Sequence, residues 1–297
     1  MELLIDFLKQ NEVEHKRNFI LSRASYVRIG GKADVAVFPK DEQMLIKLVD
    51  YLYLRKIPYK ILGRMTNVLA SDEGFHGVII FTGALSQVKI SDGYFTAEAG
   101  ASLSYVIRRL SWSGFSGLEE LYGIPASIGG AVYNNSGAFG KDISSALLYS
   151  RVYSPDEQKI RVLSSYDMKF SYRESVLSSE DFVLLSGAFA FSAIDPILSQ
   201  KKINDVVEQR KRTQPTGTLN LGSVFRRENG VSLAYLIDMA GLKGKRIGDA
   251  EISEKHAGFI VNRKSATAKD YSALINLIKQ TVYEKYGFYP KEEIEYL

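Results

Sequence analysis

Over the first fourteen residues the apolar positions Leu3, Leu4, Phe7, Leu8 and Val13 fall close to a 3.6-residue period, which predicts a short amphipathic helix. Residues 34–38 (DVAVF) read as a strand. Asp41 is then placed to cap a helix whose apolar stripe runs through Met44, Leu45, Leu48, Val49, Leu52 and Tyr53. Residues 59–62 (YKIL) return as a strand, so this stretch has the order strand, helix, strand of a crossover unit. Short strands over 78–81, 88–90 and 94–97 and a helix over 103–110 complete a first part that mixes helix and sheet.

The pattern then breaks. Seven glycines, Gly114, Gly117, Gly123, Gly129, Gly130, Gly137 and Gly140, are interleaved with Ser, Ala and Asn, a density foreign to an ordinary core helix. Strand character resumes over 147–153, 159–163 and 182–191, and Asp195 opens a long polar helix to about Lys211. The run QRKRT at 209–213, followed by Pro215 and Gly217, marks a domain junction within 195–217. Beyond it the pattern predicts a helix over 233–239, a strand over 256–261 and a long helix over 267–286. Thr267 and Asp270 have capping-box spacing, and Leu274, Ile275, Ile278 and Val282 form the buried stripe of that last helix.

A length of 297 residues corresponds to two or three domains at about 100–200 residues each. With 45% hydrophobic and 24% charged residues the chain is expected to fold as a soluble protein. A net charge of +4 is too dilute to point to nucleic acid, so no nucleic-acid partner is expected. The absence of cysteine excludes a disulfide framework and thiol catalysis, and it fits a reducing compartment. Glu2, Asp6 and Lys9 interrupt the N-terminus where a signal peptide needs an apolar run. No stretch approaches the roughly 20 apolar residues of a spanning helix, so membrane insertion is not expected and the cytoplasm is the expected location. His15, His76 and His256 lie far apart and in no HxxxH or HExxH arrangement, so no metal site is expected.

Two segments could carry chemistry. In 62–72 (LGRMTNVLASD), Gly63 permits a sharp turn after a strand, and the backbone amides that follow could face an anion as a nest. The alternative is a local turn held by Asn67. No Walker sequence and no GxGxxG helix start occurs in the first hundred residues. In 123–140 (GIPASIGGAVYNNSGAFG), Gly129, Gly130, Gly137 and Ala138 leave bare backbone, suited either to a flat or phosphorylated ligand or to close packing of the chain on itself.

Together these segments look like the flavin-contacting loops of the vanillyl-alcohol-oxidase type. With RIGGKA at 28–33, SYRES at 171–175, GSVFR at 222–226, AGLKGKRIG at 240–248, SEKHAGFIVN at 253–262 and the C-terminal 286–294, all in order, the chain resembles the UDP-N-acetylenolpyruvoylglucosamine reductase family in its shorter, type II form. The resemblance implies an α+β fold. It consists of a two-part FAD-binding domain over about 1–82 and 83–200, and a C-terminal α+β substrate-binding domain over about 201–297. It implies noncovalent FAD, NADPH as electron donor, and reduction of an enolpyruvyl ether of UDP-N-acetylglucosamine. Covalent flavin is not expected, since there is no cysteine and His76 lies outside the usual attachment pattern.

The resemblance assigns catalysis to Arg173, Ser223 and Glu293. Its flavin contacts fall on Gly63, Arg64, Met65, Thr66, Asn67 and Val68 in the first segment, on Ile124, Ser127, Gly130, Gly137 and Ala138 in the second, and on Arg210. Lys243, Lys245, Arg246, Lys255 and His256 are its candidates for the nucleotide. Ala126 departs from a frequent Gly, Thr213 from a common Lys, and Glu295 from a common basic residue; the last two remove positive charge near an anionic substrate. Leu221 and the pair at 228–229 are smaller departures. One alternative is an FAD-linked oxidase or dehydrogenase of the same fold acting on another substrate, against which the serine acid argues. Another is a nonenzymatic flavin carrier.

Overall fold

The N-terminal stripe folds as the helix Glu2–Gln10, shorter than the pattern predicts, and the chain turns straight into a strand, Glu14–Ile20, that the pattern does not announce. The reason lies in its position. This strand is the edge of a four-stranded sheet and is largely exposed on both faces, so its sequence EHKRNFI carries no alternation of apolar residues. The computed structural model describes residues 1–228 and 230–297; Asn229, half of the 228–229 departure, lies outside them. The chain divides into two compact units. One is Met1–Arg17, Val35–Arg64 and Gly77–Glu208; the other is Asn18–Asp34, Met65–His76 and Gln209–Leu297.

The first unit holds most of the sheet ordered Glu14–Ile20, Lys32–Phe38, Phe75–Phe81, Tyr59–Leu62. Tyr59–Leu62 pairs in parallel with Phe75–Phe81, so the expected crossover partner Lys32–Phe38 lies one strand further on. The helix Glu42–Leu54 begins where Asp41 accepts from the Met44 amide at 2.8 Å, and it buries Leu45, Leu48, Val49 and Leu52 with Val35, Val37, Val78 and Ile80. A five-stranded antiparallel sheet follows, in the order Lys159–Ser164, Leu147–Ser154, Val183–Ala190, Tyr94–Glu98, Val88–Ile90. Phe95 and Phe189 stack across it at 5.1 Å, and the helix Leu103–Trp112 packs its apolar face into the same core. The glycine-rich stretch is not wholly irregular. It contains a six-residue helix, Ile128–Tyr133, because Ser127 caps it and Ile128, Ala131 and Val132 supply a buried stripe.

In the second unit the sheet order is Leu219–Asn220, Ile260–Asn262, Ala250–Ile252, Arg246–Ile247, all antiparallel. The helix Ala268–Tyr286 packs its predicted stripe into a core with Val224, Phe225, Ile252, Ile260 and Ile294. Its capping box forms as predicted, and Asp72 adds a second cap by accepting from the amides of Ala268 and Lys269 at 2.8 and 3.0 Å. The strand expected over 256–261 begins only at Ile260, because residues 253–259 close into a turn through the Ser253 amide and Phe259 carbonyl at 2.8 Å. The polar helix Pro196–Thr213 is continuous, and the division between the units falls inside it, at Glu208 and Gln209. No helix among the described residues is long and apolar enough to cross a membrane.

Candidate active site

The strand Tyr59–Leu62 delivers the chain to Gly63. A Cβ placed there would lie 2.2 Å from Ser127 Oγ, so any larger residue would push the two glycine-bearing segments apart. At Gly130 the nearest atom to such a Cβ is the same hydroxyl at 3.6 Å, an ordinary contact. Ser127 is spent on its own helix, its Oγ accepting from the Gly130 amide at 3.2 Å. The Ile128 and Gly129 amides donate to the carbonyls of Ala101 and Ala99 at 2.8 and 2.7 Å. This turn therefore offers a ligand bare backbone surface rather than free donors.

Free donors occur instead in the first segment. Met65 is buried with φ of 49°, a left-handed conformation that costs a side-chain-bearing residue roughly 1–3 kcal/mol. Among the described residues, the amides of Met65, Thr66 and Asn67 donate to no protein acceptor, which is what an anion-binding nest requires. Arg64 beside them is exposed.

Asn67 is fixed by the C-terminal tail. Its Nδ2 donates to the Glu293 carbonyl at 2.9 Å, and its own carbonyl accepts from the Glu295 amide at 2.9 Å. Val68–Leu69 then pairs in parallel with Glu295–Tyr296. On its other edge the tail meets the serine segment, where the Glu293 amide donates to the Val224 carbonyl at 2.7 Å and the Arg226 amide to the Lys291 carbonyl at 2.9 Å. Gly222, at φ of 79°, turns the chain into that segment, and the Val224 amide anchors it to the Gly258 carbonyl at 2.9 Å. Ser223 Oγ makes a long bond to the Phe225 carbonyl at 3.3 Å, which holds the hydroxyl weakly. Asn67, Ser223 and Glu293, from three distant parts of the sequence, thus lie on one woven backbone system.

Next to it, burial, more than the neighbouring Lys243 charge, holds His256 below its ordinary value, so the ring is neutral at pH 7. The Gly258 amide donates to its Nδ1 at 3.2 Å, which assigns the ring proton to Nε2.

Arg173 belongs to the other glycine segment. It sits at φ of 60° in a turn closed by the Ser171 and Glu174 bridge, and its guanidinium donates to the carbonyls of Gly137 and Asn135 at 2.9 and 3.3 Å. Buried Asn135, itself at φ of 37°, ties the two turns together by donating from Nδ2 to the Ser171 carbonyl at 2.9 Å. Gly137–Ala138 pairs with Lys141–Asp142 beside them. The Ile124 carbonyl accepts from Ser104 Oγ at 3.3 Å. Ala126, where Gly is frequent, is buried with its methyl group accommodated.

Arg210 is 8% exposed, and burial pushes its guanidinium down to about 10; Nη1 donates to Gln214 at 3.2 Å. Three of the five nucleotide candidates hold the fold: Lys243 pairs with Asp238 at 2.5 Å, Arg246 with buried Glu251, and Lys255 with the Lys211 carbonyl. Lys245 is exposed. Thr213, standing where Lys is common, bonds back to the Gln209 carbonyl at 2.8 Å, and Glu295 is exposed.

The FAD binding domain family matches residues 33–162, and the family described as UDP-N-acetylenolpyruvoylglucosamine reductase, C-terminal domain, matches residues 214–297. A UDP-N-acetylenolpyruvoylglucosamine reductase of Caldicellulosiruptor bescii is 39% identical over 293 residues, 98% of this chain and 93% of the relative. The chain belongs to the UDP-N-acetylenolpyruvoylglucosamine reductase family. A reductase of Caldanaerobacter subterraneus is 38% identical, covering 99% of this chain and 98% of its own. The crystal structure of the reductase from Thermus caldophilus is similar over 96% of this chain and 98% of its own, with a TM-score of 0.81 at 29% identity.

The α+β architecture, an FAD-binding domain followed by the reductase family's C-terminal domain, is therefore that of the family. The chain's own residues fit FAD. Unpartnered amides at 65–67 suit a pyrophosphate, the open backbone at Gly130 suits a flat ring, and the desolvated Arg210 guanidinium suits an anion. Two residues of the candidate segments have structural roles that the sequence pattern did not single out. Asp72 and Asn135 act through bonds to segments 196 and 36 residues away.

Proposed function

We propose that this chain reduces the enolpyruvyl ether of UDP-N-acetylglucosamine to UDP-N-acetylmuramate, in peptidoglycan precursor synthesis in the cytoplasm, with NADPH as electron donor. In this reading residues 1–82 and 83–200 form the two parts of the FAD-binding domain, and 201–297 bind the substrate. Noncovalent FAD, when bound, supplies the two-electron transfer between NADPH and the terminal carbon of the enolpyruvyl group. The amides of residues 65–67 and Arg210 hold its phosphates, and the backbone at Gly63, Gly130, Gly137 and Ala138 admits its rings.

Reduction at the terminal carbon turns the CH₂ into a methyl group and leaves an electron pair on the adjacent carbon, delocalised into the carboxylate. The side chains must hold that dianion and deliver one proton. Ser223 Oγ, weakly held, gives its proton to the carbanion, for which a weak acid suffices because the acceptor is so basic. Arg173 binds the substrate carboxylate with its planar fork. Glu293, in its acid form, donates a hydrogen bond to that carboxylate as charge develops. The observation that supports this reading is the tail bond between the Glu293 amide and the Val224 carbonyl at 2.7 Å, one residue from Ser223.

The test is the absorption spectrum of the FAD-loaded protein. Anaerobic NADPH should bleach the flavin, and the enolpyruvyl nucleotide should restore its colour. Bleaching without recovery would transfer the assignment to another acceptor. A protein that cannot be loaded with FAD would overturn it.

A further inference from the structure

The tail carries three carboxylates, Glu292, Glu293 and Glu295, of which the proposed function gives one a chemical task. We propose that Glu292, held between Lys279 and Tyr296, is a positioning residue that fixes the register and direction in which Glu293 presents its carboxylate beside Ser223. The inference rests on the reading that Glu293 acts on substrate. Lys279 Nζ lies 2.8 Å from Glu292 Oε1, and the Tyr296 hydroxyl donates to Oε2. The Lys279 and Glu292 side chains are 33% and 18% exposed, so the pair is shielded from the solvent that makes open ion pairs nearly worthless. The Tyr296 phenol, half-exposed, is a donor at neutral pH, and partial burial and the bond to Glu292 raise its value further.

The backbone bonds of the tail do not by themselves distinguish one glutamate from the next. In extended chain, successive side chains point to opposite faces, and a slip of one residue exchanges the faces. Such a slip would offer Glu292 to the site and turn Glu293 away. Lys279 prevents it from the helix Ala268–Tyr286, whose Leu274, Ile275 and Ile278 share a core with Ile294. Positions 292 and 294 are therefore both anchored to that helix, and anchoring both neighbours fixes the direction of residue 293 between them.

Glu292→Ala in the full-length, FAD-loaded protein tests this, with Glu292→Gln and Tyr296→Phe as milder variants should Glu292→Ala fold poorly. Stopped-flow absorption reads reduction by NADPH and reoxidation by the enolpyruvyl nucleotide separately. Hydrogen exchange reads the amides of Glu293 and Glu295. Reoxidation should slow roughly 10- to 100-fold, as misplacement by about an ångström does, while reduction stays within about twofold. The two amides should exchange faster, and Glu292→Ala should add no further slowing to Glu293→Gln. The milder variants should move the same way by less. Equal slowing of both half-reactions, additive loss in the double variant, or unchanged exchange would overturn the positioning role. A wild-type protein whose reduced flavin ignores the nucleotide would count against the proposed function instead, and the exchange data alone would then decide the positioning role.

Discussion

Gly63 and Gly130 are identical residues required for different reasons, and substitution separates them. A methyl group at 63 has Ser127 Oγ in its way at 2.2 Å, whereas a methyl at 130 meets nothing closer than 3.6 Å. Gly63→Ala should destabilise even the flavin-free protein by about 1–3 kcal/mol, the usual cost of overpacking. Gly130→Ala, in the first turn of a helix, should leave the flavin-free protein as stable or about 0.4–1 kcal/mol more so, while weakening FAD. Thermal melts of the apoprotein and FAD titration by fluorescence check both. Ser223→Ala makes a sharper claim about chemistry. Reduction by NADPH should persist while reoxidation by the enolpyruvyl nucleotide slows by orders of magnitude, and comparable losses in both half-reactions would contradict the proton-donor role. At this scale the family motifs single out Arg173, Ser223 and Glu293 from the sequence alone. It is least legible where a residue works through a distant partner: nothing near Asn67 announces two bonds to residues 293 and 295.

Among the elements, the helix Ala268–Tyr286 shows what local pattern can and cannot reveal. Its capping box is visible in sequence because the two partners lie three residues apart. Asp72, which occupies the amides of Ala268 and Lys269, lies 196 residues from the helix it caps. Asp72→Ala should cost about 1–2 kcal/mol through the lost cap and the lost charge at the helix N-terminus, measured by urea unfolding. It should cost more than Thr267→Ala, which leaves Asp72 in place. The strand Glu14–Ile20 escaped the pattern because an exposed edge needs no apolar face. The helix Ile128–Tyr133 escaped because its glycines suppress helical propensity that a serine cap and buried stripe restore.

For the molecule as a whole, length and composition anticipate a folded chain of two or three domains, and the α+β class implied by the resemblance is that of the family matches. They carry no information on the charge buried in its second unit. Glu251 is fully buried, and the Arg263 hydrogen bond, then that of Arg246, holds its carboxyl below the usual carboxylate range. A carboxyl whose folded value is depressed stabilises the protein at pH above its unfolded value of about 4.3 and loses that contribution as pH falls through the folded value. Glu251→Gln should therefore lower the melting temperature at pH 7 and flatten its decline below about pH 4. A parallel decline in variant and wild type would show that other carboxylates govern acid unfolding.

The tail that completes the Asn67 loop also imposes an order in time. The Asn67 side chain finds its acceptor 226 residues further along the chain. At about 5–20 residues per second, translation separates the two by roughly 10–45 s. Throughout that interval the loop proposed to receive the cofactor's phosphates has been made but lacks both bonds that Asn67 shares with residues 293 and 295. Cofactor capture therefore belongs after residues 293–295 leave the ribosome, and a chain stalled just before them would emerge colourless.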